Sequence, residues 1–210
     1  MSLRLDLYAC ELRDLPHDLR WGRRHGAVRA ELRRRSIDQL YERGRYAVLE
    51  QDLELLTDAP PPAGVTIRNG DDLAVLAPLA PRRTQAAFAR RESSRFVVAW
   101  RGGEAVGYEW WSPRLHPELD RLPVPLPPGT AFGHDLYVAP WARGAGIGTA
   151  LAAARLADVR DHGFGRLRRL IAAENTASWR TAERSASVEV VGEVWFVRTP
   201  GRLRTGFDPA

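Results

Sequence analysis

The sequence predicts an α/β (α+β) domain built in layers: a mixed central β-sheet flanked by helices, behind an N-terminal helical extension. Three observations predict it. After residue 64, short runs rich in β-branched and aromatic residues alternate with longer Ala-, Leu- and Arg-rich runs, as strands and helices taken in turn do. The pair Gly102-Gly103 joins two apolar runs, which is hairpin chemistry. Three consecutive prolines, Pro60 to Pro62, divide this part from a stretch with helical spacing.

The elements are taken in chain order. In residues 10–43, Leu12, Leu15, Leu19, Val28, Leu32, Leu40 and Tyr41 form a helical stripe, interrupted at Pro16 and Gly22. RYAVLEQDL (45–53) alternates as a strand, and TDAPPPAG (57–64) is a stiff linker. Residues 1–60 are therefore an N-terminal helical extension plus strand, and 61–210 a compact domain. VTIR (65–68) is a short strand, and Asp71 or Asp72 is the N-cap of the next helix. LAVLAPLA and TQAAFARRE make one or two helices, and RFVVAWRGGEAVGYEWW (95–111) a hairpin. Residues 112–129 are a proline-rich loop, of a length that usually carries function. TAFGHDLYV (130–138) is a central strand, and TALAAARLADVRDH a helix closed by Gly163. RLRRLIAA (166–173) is a strand, NTASWRTAERSA a helix capped by Asn175, and VEVVGEVWFVR one bent or two short strands. No segment repeats.

Composition bounds the function. Hydrophobic residues are 44% of 210, enough for a sizeable core. The one cysteine, Cys10, allows neither a disulfide framework nor a cysteine-based zinc site, and no metal is expected. The N-terminus lacks a signal-peptide core, and no apolar run reaches membrane-spanning length. A soluble, cytoplasmic protein is expected. All 31 basic residues are arginine, against 26 acids, for a net charge of +5. That balance favours anionic ligands without requiring nucleic acid. The run Arg33-Arg34-Arg35 reads as a solvated helix face ahead of a nucleic-acid patch.

The most informative stretch is LYVAPWARGAGIGTALAAARLADVRDHG (136–163). Gly144, Gly146 and Gly148 come after a strand and open a helix. The first amides of a helix have no partner inside it, and the dipole is positive there. Phosphate oxygens satisfy both conditions. Glycine lets the backbone come close, and Arg143 adds a permanent charge. A P-loop needs a lysine, and the chain has none. A dinucleotide fingerprint needs its third glycine one position later than Gly148.

The spacing Arg143-x-x-Gly146-x-Gly148, after Leu136-Tyr137-Val138-Ala139-Pro140, resembles the acyl-CoA pyrophosphate loop of the GNAT superfamily of N-acyltransferases. The order of elements over roughly residues 64–200 agrees with it. The resemblance implies a GNAT-like fold and acetyl-CoA, or another acyl-CoA, as cosubstrate. It implies that backbone groups of Leu136, Tyr137 and Val138 pair with the pantetheine arm. It implies that Arg143, Gly144, Ala145, Gly146, Ile147, Gly148 and Thr149 hold the pyrophosphate. Asn175 occupies the position of a family asparagine that contacts the CoA arm, with Ser178 one turn later; a plain N-cap is the other reading, and the two are compatible.

The chemistry needs a neutral amine, so a base must take the proton of an alkylammonium. His134 lies where several family enzymes carry a Glu or His base; a hydrogen-bonded structural role is its other reading. Asp135 points to the opposite face if the strand is regular, and a β-bulge, which the family usually has, changes which of the two faces the cleft. Asp135 reads first as structural. The family's tyrosine acid falls at Ala182 here, no tyrosine occurs after Tyr137, and Ala186-Ser187 replace the common Gly-Phe. Glu109, Trp110 and Trp111 end the hairpin. Alternation sends the two rings to opposite faces; one is core, and the other either lines an acceptor pocket, where an aromatic face attracts a cation, or is core as well, with core the first reading for each ring. His116 is a solvated loop residue or a substrate contact, Trp141 covers the cofactor or packs, and His162 suits a helix C-terminus.

The expected function is acyl transfer, acetyl first, from CoA to the primary amine of a small molecule or peptide. A non-catalytic acyl-CoA sensor and a basic-helix module over residues 20–45 are the alternatives. The extension serves as a dimer contact or a lid.

Overall fold

A computed structural model describes Arg24 and residues 42–56, 59–80, 93–115, 122–199 and 202–210. The expected helical stripe, the TQAAFARRE helix and His116 lie outside the described residues.

Eight strands form one sheet. They are β1 (Glu42–Leu56), β2 (Val65–Gly70), β3 (Arg95–Arg101), β4 (Glu104–Ser112), β5 (Thr130–Val138), β6 (Arg166–Ala172), β7 (Ala186–Thr199) and β8 (Arg202–Pro209). Among the described residues two helices pack on it, α1 (Ile147–Asp161) and α2 (Thr176–Ser185). The strand order is β2-β3-β4-β5-β6-β1-β7-β8. Only β5 and β6 pair parallel, because α1 is the crossover between them.

Local chemistry explains the connections. Gly102 and Gly103 have φ of +59° and +80°, as a tight hairpin turn requires. Asp72 caps a 3-10 turn at Leu73–Leu76, its side chain accepting from Ala74 N at 2.8 Å. Gly163, at φ +85°, lies just past the C-terminus of α1.

Two placements differ from the sequence reading. Strand β1, read as part of the extension, lies inside the sheet, antiparallel to β6 on one side and β7 on the other. The sheet thus takes strands from both sides of the proline linker. Strand β8 has no counterpart in the sequence reading; RLRTGFDP alternates poorly and is held by its pairing with β7. The closing run is one bent strand, β7, whose register with β1 shifts at Val48/Leu49.

Helix α1 covers one face of the sheet. Leu156 and Val159 join Ala131, Leu167, Trp111 and Leu53 in a buried cluster. Within it Trp111 Nε1 donates to Asp158 Oδ2 at 2.6 Å. A charge-assisted bond to a buried carboxylate is stronger than a neutral one. Replacing Trp111 by Phe keeps most of the apolar contact and strips Asp158 of that donor. The expected loss is about 2 kcal/mol of stability, read from a urea midpoint that moves while the slope stays constant.

Candidate functional site

The site begins where one ladder ends. β5 and β6 pair from Thr130↔Arg166 to Gly133↔Arg169 and no further. Beyond that rung β6 stays with β1, through Val48↔Leu170 to Tyr46↔Ala172. β5 stays with β4, through Tyr108↔Tyr137 and Gly107↔Val138. The two strands part, leaving a V-shaped cleft with Leu136, Tyr137 and Val138 along one wall.

A bulge causes the parting. Opposite Tyr108 and Trp110, two residues apart, stand Tyr137 and His134, three apart. The extra residue falls at Asp135, whose φ is +53°. Aspartate is among the few L-residues that enter this region readily. The strand is therefore irregular at this point. His134 Nδ1 lies 3.5 Å from Asp135 Oδ2. The carboxylate is placed to stabilise a protonated ring. The imidazole is flanked by Trp110, with ring centroids 6.3 Å apart, and Phe132, at 6.0 Å. It is nearly enclosed, 7% exposed, while Asp135 is open to solvent.

At the far end of the same wall lies the glycine loop. Pro140–Ala142 form a 3-10 turn, and Gly146, at φ +82°, is the N-cap of α1. No side chain caps this helix, and its first turn carries no acid. The first amide bonded inside it is that of Ala150, to Gly146 O at 3.1 Å. The amides of Ile147, Gly148 and Thr149 precede it and have no partner within the helix. A Cβ on Gly144 would meet nothing within 4 Å, and one on Gly146 only Pro62 Cγ at 3.8 Å. This loop is an open cradle of amides at a positive helix end, which fits a diphosphate.

Arg143 is folded back on the strand. Its Nε donates to Val138 O at 2.9 Å, and its guanidinium lies 5.9 Å from the Tyr137 ring centre. Burial pushes the Tyr137 phenol up from 10.0 to about 12, while the charge and hydrogen bond of Arg143, and the charge of Arg24, pull the other way. Trp141 is exposed, with the Arg24 guanidinium 4.7 Å from its ring centre. Asn175 caps α2, its side chain accepting from Ser178 N at 3.2 Å. Helix α2 also contributes a residue that sequence reasoning missed. Thr181 Oγ1 lies 3.7 Å, and Val138 Cγ2 3.8 Å, from where a Gly148 Cβ would stand. No local pattern marks a threonine in mid-helix; only the packing of α2 on α1 brings it to the loop. Ala182 is buried against Leu49 and Ile171.

The hairpin end takes the core reading for both tryptophans. The two tryptophans do face opposite sides, but both are in the core: Trp110 packs on Phe96 with centroids 4.5 Å apart, and Trp111 sits on α1. Glu109 is fully buried beside Arg155 Nη1, at 3.0 Å. All three side chains are thus buried. His162 Nδ1 lies 2.7 Å from Asp158 O, near the C-terminus of α1 as expected. Among the described residues no group of three His, Cys, Asp or Glu side chains could hold a metal, and no helix is long and apolar enough to cross a membrane.

Raising the Tyr137 pKa favours the neutral phenol in the folded state. Its contribution to stability is complete below pH 10 and is lost as the pH rises towards 12. In a spectrophotometric titration of the folded protein, one tyrosine is expected to ionise near pH 12, and Tyr137→Phe to remove that step.

The model of the Acetyltransferase (GNAT) family matches residues 58–186. A search of the curated proteins finds no match. Among solved structures, the chain is similar to a GCN5-related N-acetyltransferase from Sphaerobacter thermophilus, with 18% identity and a TM-score of 0.52 over 86% of this chain and 57% of that one. It is also similar to a Drosophila protein, with 18% identity and a TM-score of 0.51 over 77% of this chain and 52% of that one. The chain thus spans little more than half the length of these two, and at such identities the likeness is one of fold. The family match covers more than half of the sequence and includes the ladder break, the glycine loop and α2. By that match the chain belongs to the GNAT acetyltransferase family.

Proposed function

We propose that the chain is an acyl-CoA-dependent N-acyltransferase that acylates a primary amine of a small molecule or peptide, with acetyl-CoA as the simplest donor. One observation carries this reading: a single strand, β5, runs from a nearly enclosed histidine at the ladder break to an uncapped, glycine-lined helix end.

When bound, the acyl-CoA supplies an activated thioester. The amides of Ile147, Gly148 and Thr149 receive its diphosphate, with Gly144, Ala145 and Gly146 shaping the approach. Arg143 adds charge beside them. The backbone of Leu136 to Val138 takes the pantetheine arm as an added strand. Asn175, Ser178 and Thr181 line the α2 side. This arrangement leaves the thioester at the bulge, where a backbone N–H of the parted strand polarises the carbonyl. His134 accepts the proton the amine loses as the C–N bond forms and the C–S bond breaks. Asp135 offsets the charge the ring gains. The sulfur leaves as a thiolate, tolerable at a thiol pKa of about 8.5. Glu109, Trp110 and Trp111 support the wall from beneath and do not touch the acceptor.

A second reading is an acyl-CoA-binding module without turnover. Its support is the buried Ala182 where the family places a tyrosine acid.

Titration of isotope-labelled protein with CoA is expected to shift the amides of residues 143–149. Gly146→Ala, strained at φ +82°, is expected to weaken CoA binding about tenfold or more, measured by calorimetry. With an accepted amine, His134→Gln is expected to lower kcat by about a hundredfold and to leave the KM for acetyl-CoA nearly unchanged. Absence of both CoA binding and amide shifts would sink the enzymatic reading. Binding without turnover over a broad amine panel leaves the sensor.

A further inference from the structure

A buried charge cluster lies directly beneath the ladder break, on the α1 side of the sheet. Glu109 Oε1 is 3.0 Å from Arg155 Nη1 and 3.6 Å from Arg169 Nη1. Arg155 Nη2 donates to Gln51 Oε1 at 3.2 Å. All four residues are buried. The cluster holds two guanidinium groups and one carboxylate. Asp158, the next acid along α1, is engaged elsewhere, by Trp111 and by Arg95 at 3.5 Å. Among the described residues one positive charge is left over.

The donors are also incompletely used. Arg155 Nε has no hydrogen-bond partner among the described residues, and Arg155 Nη1 and Arg169 Nη1 meet Glu109 as ion pairs without an aligned hydrogen bond. The Glu109 oxygens likewise accept no aligned hydrogen bond among the described residues. Burial pulls the Arg155 pKa from 12.5 down to about 10; the Glu109 charge opposes that and the Arg169 charge adds to it. A buried cluster with one cation in excess is costly unless an anion meets it.

The position of the cluster suggests where the anion comes from. Arg169 is the last β6 residue paired with β5, and its partner Gly133 carries no side chain. The Arg155 guanidinium occupies the space a Gly133 Cβ would need. The Arg155 guanidinium therefore lies directly under the last β5–β6 rung, to which Arg169 belongs. Arg155 lies eight residues into α1, about 12 Å from the glycine loop. His134 is on the other face, stacked with Trp110 and Phe132, so an amine approaching it comes from the opposite side.

We propose that this cluster receives a carboxylate at the far end of the acyl group, so that the preferred donor is the CoA thioester of a dicarboxylic acid and Arg169 selects it. This rests on the acyl-CoA reading above and narrows it. Arg169 makes the contact because it belongs to a cleft-lining strand and retains a trace of exposure, whereas Arg155 has none.

Calorimetric titration of the full chain with CoA, acetyl-CoA and succinyl-CoA tests it. Succinyl-CoA is expected to bind at least about tenfold more tightly than acetyl-CoA. Arg169→Gln is expected to abolish that difference and leave the affinity for CoA unchanged, with Arg169→Lys keeping part of it. Equal affinity of the wild-type chain for the two thioesters overturns the proposal without any variant. So does an Arg169→Gln protein, folded by circular dichroism, that still prefers succinyl-CoA. Discrimination by Arg169 between carboxylated and plain amines, with acetyl-CoA as donor, would assign the cluster to the acceptor and overturn the donor assignment. If CoA itself does not bind, the acyltransferase reading fails first and takes this one with it.

Discussion

The geometry of the site depends on one backbone irregularity. A ladder requires equal residue counts on both strands, and β5 carries one more residue than β4 between Tyr108 and Trp110. The surplus is absorbed at Asp135 in a left-handed conformation. From that point β5 stays with β4, β6 stays with β1, and an opening appears inside an otherwise continuous sheet. The same irregularity sets Asp135 beside the ring of His134. Past the Gly133↔Arg169 rung β5 has no neighbouring strand on its β6 side among the described residues, and the Val138 carbonyl there accepts from Arg143 Nε.

An opening within a sheet has to be held. The ladder on either side is anchored: β6 by its full pairing with β1, and β5 by β4 and by α1 across its face. Buried polar groups add a second tie. Arg155 from α1 and Arg169 from β6 converge on Glu109 of β4, passing over Gly133, where β5 has no side chain in the way. Gln51 extends the chain of contacts from β1 to the C-terminal end of α2, through Ala182 O and Ser185 Oγ at 3.3 Å each. Such a network couples the strands on both sides of the gap to the two helices that flank it. Hydrophobic packing alone specifies orientation less strictly than directional bonds of this kind.

Much of this was legible from local chemistry. Turns and caps depend on a few adjacent residues, so the Gly102-Gly103 hairpin, the Asp72 and Asn175 caps and the glycine-opened helix could be read from the residues themselves. The strands with strong β-branched or aromatic character were legible for the same reason. The weakly patterned β8 was not, because its alternation is broken by Arg, Gly and Asp and its stability comes from β7.

Sequence by itself therefore determined the layered architecture, the glycine-opened helix start at 143–149 and the candidate residues along β5. Each rests on interactions within a few residues of one another. Tertiary structure decided what depends on partners distant in the chain. It placed β1 between β6 and β7 and buried Glu109, Trp110 and Trp111 under helix and sheet. It also brought Thr181 to the glycine loop and two arginines from separate elements onto one carboxylate. The physical reason is that burial and charge pairing are properties of a neighbourhood, and in a sheet with crossovers most of that neighbourhood comes from far along the chain.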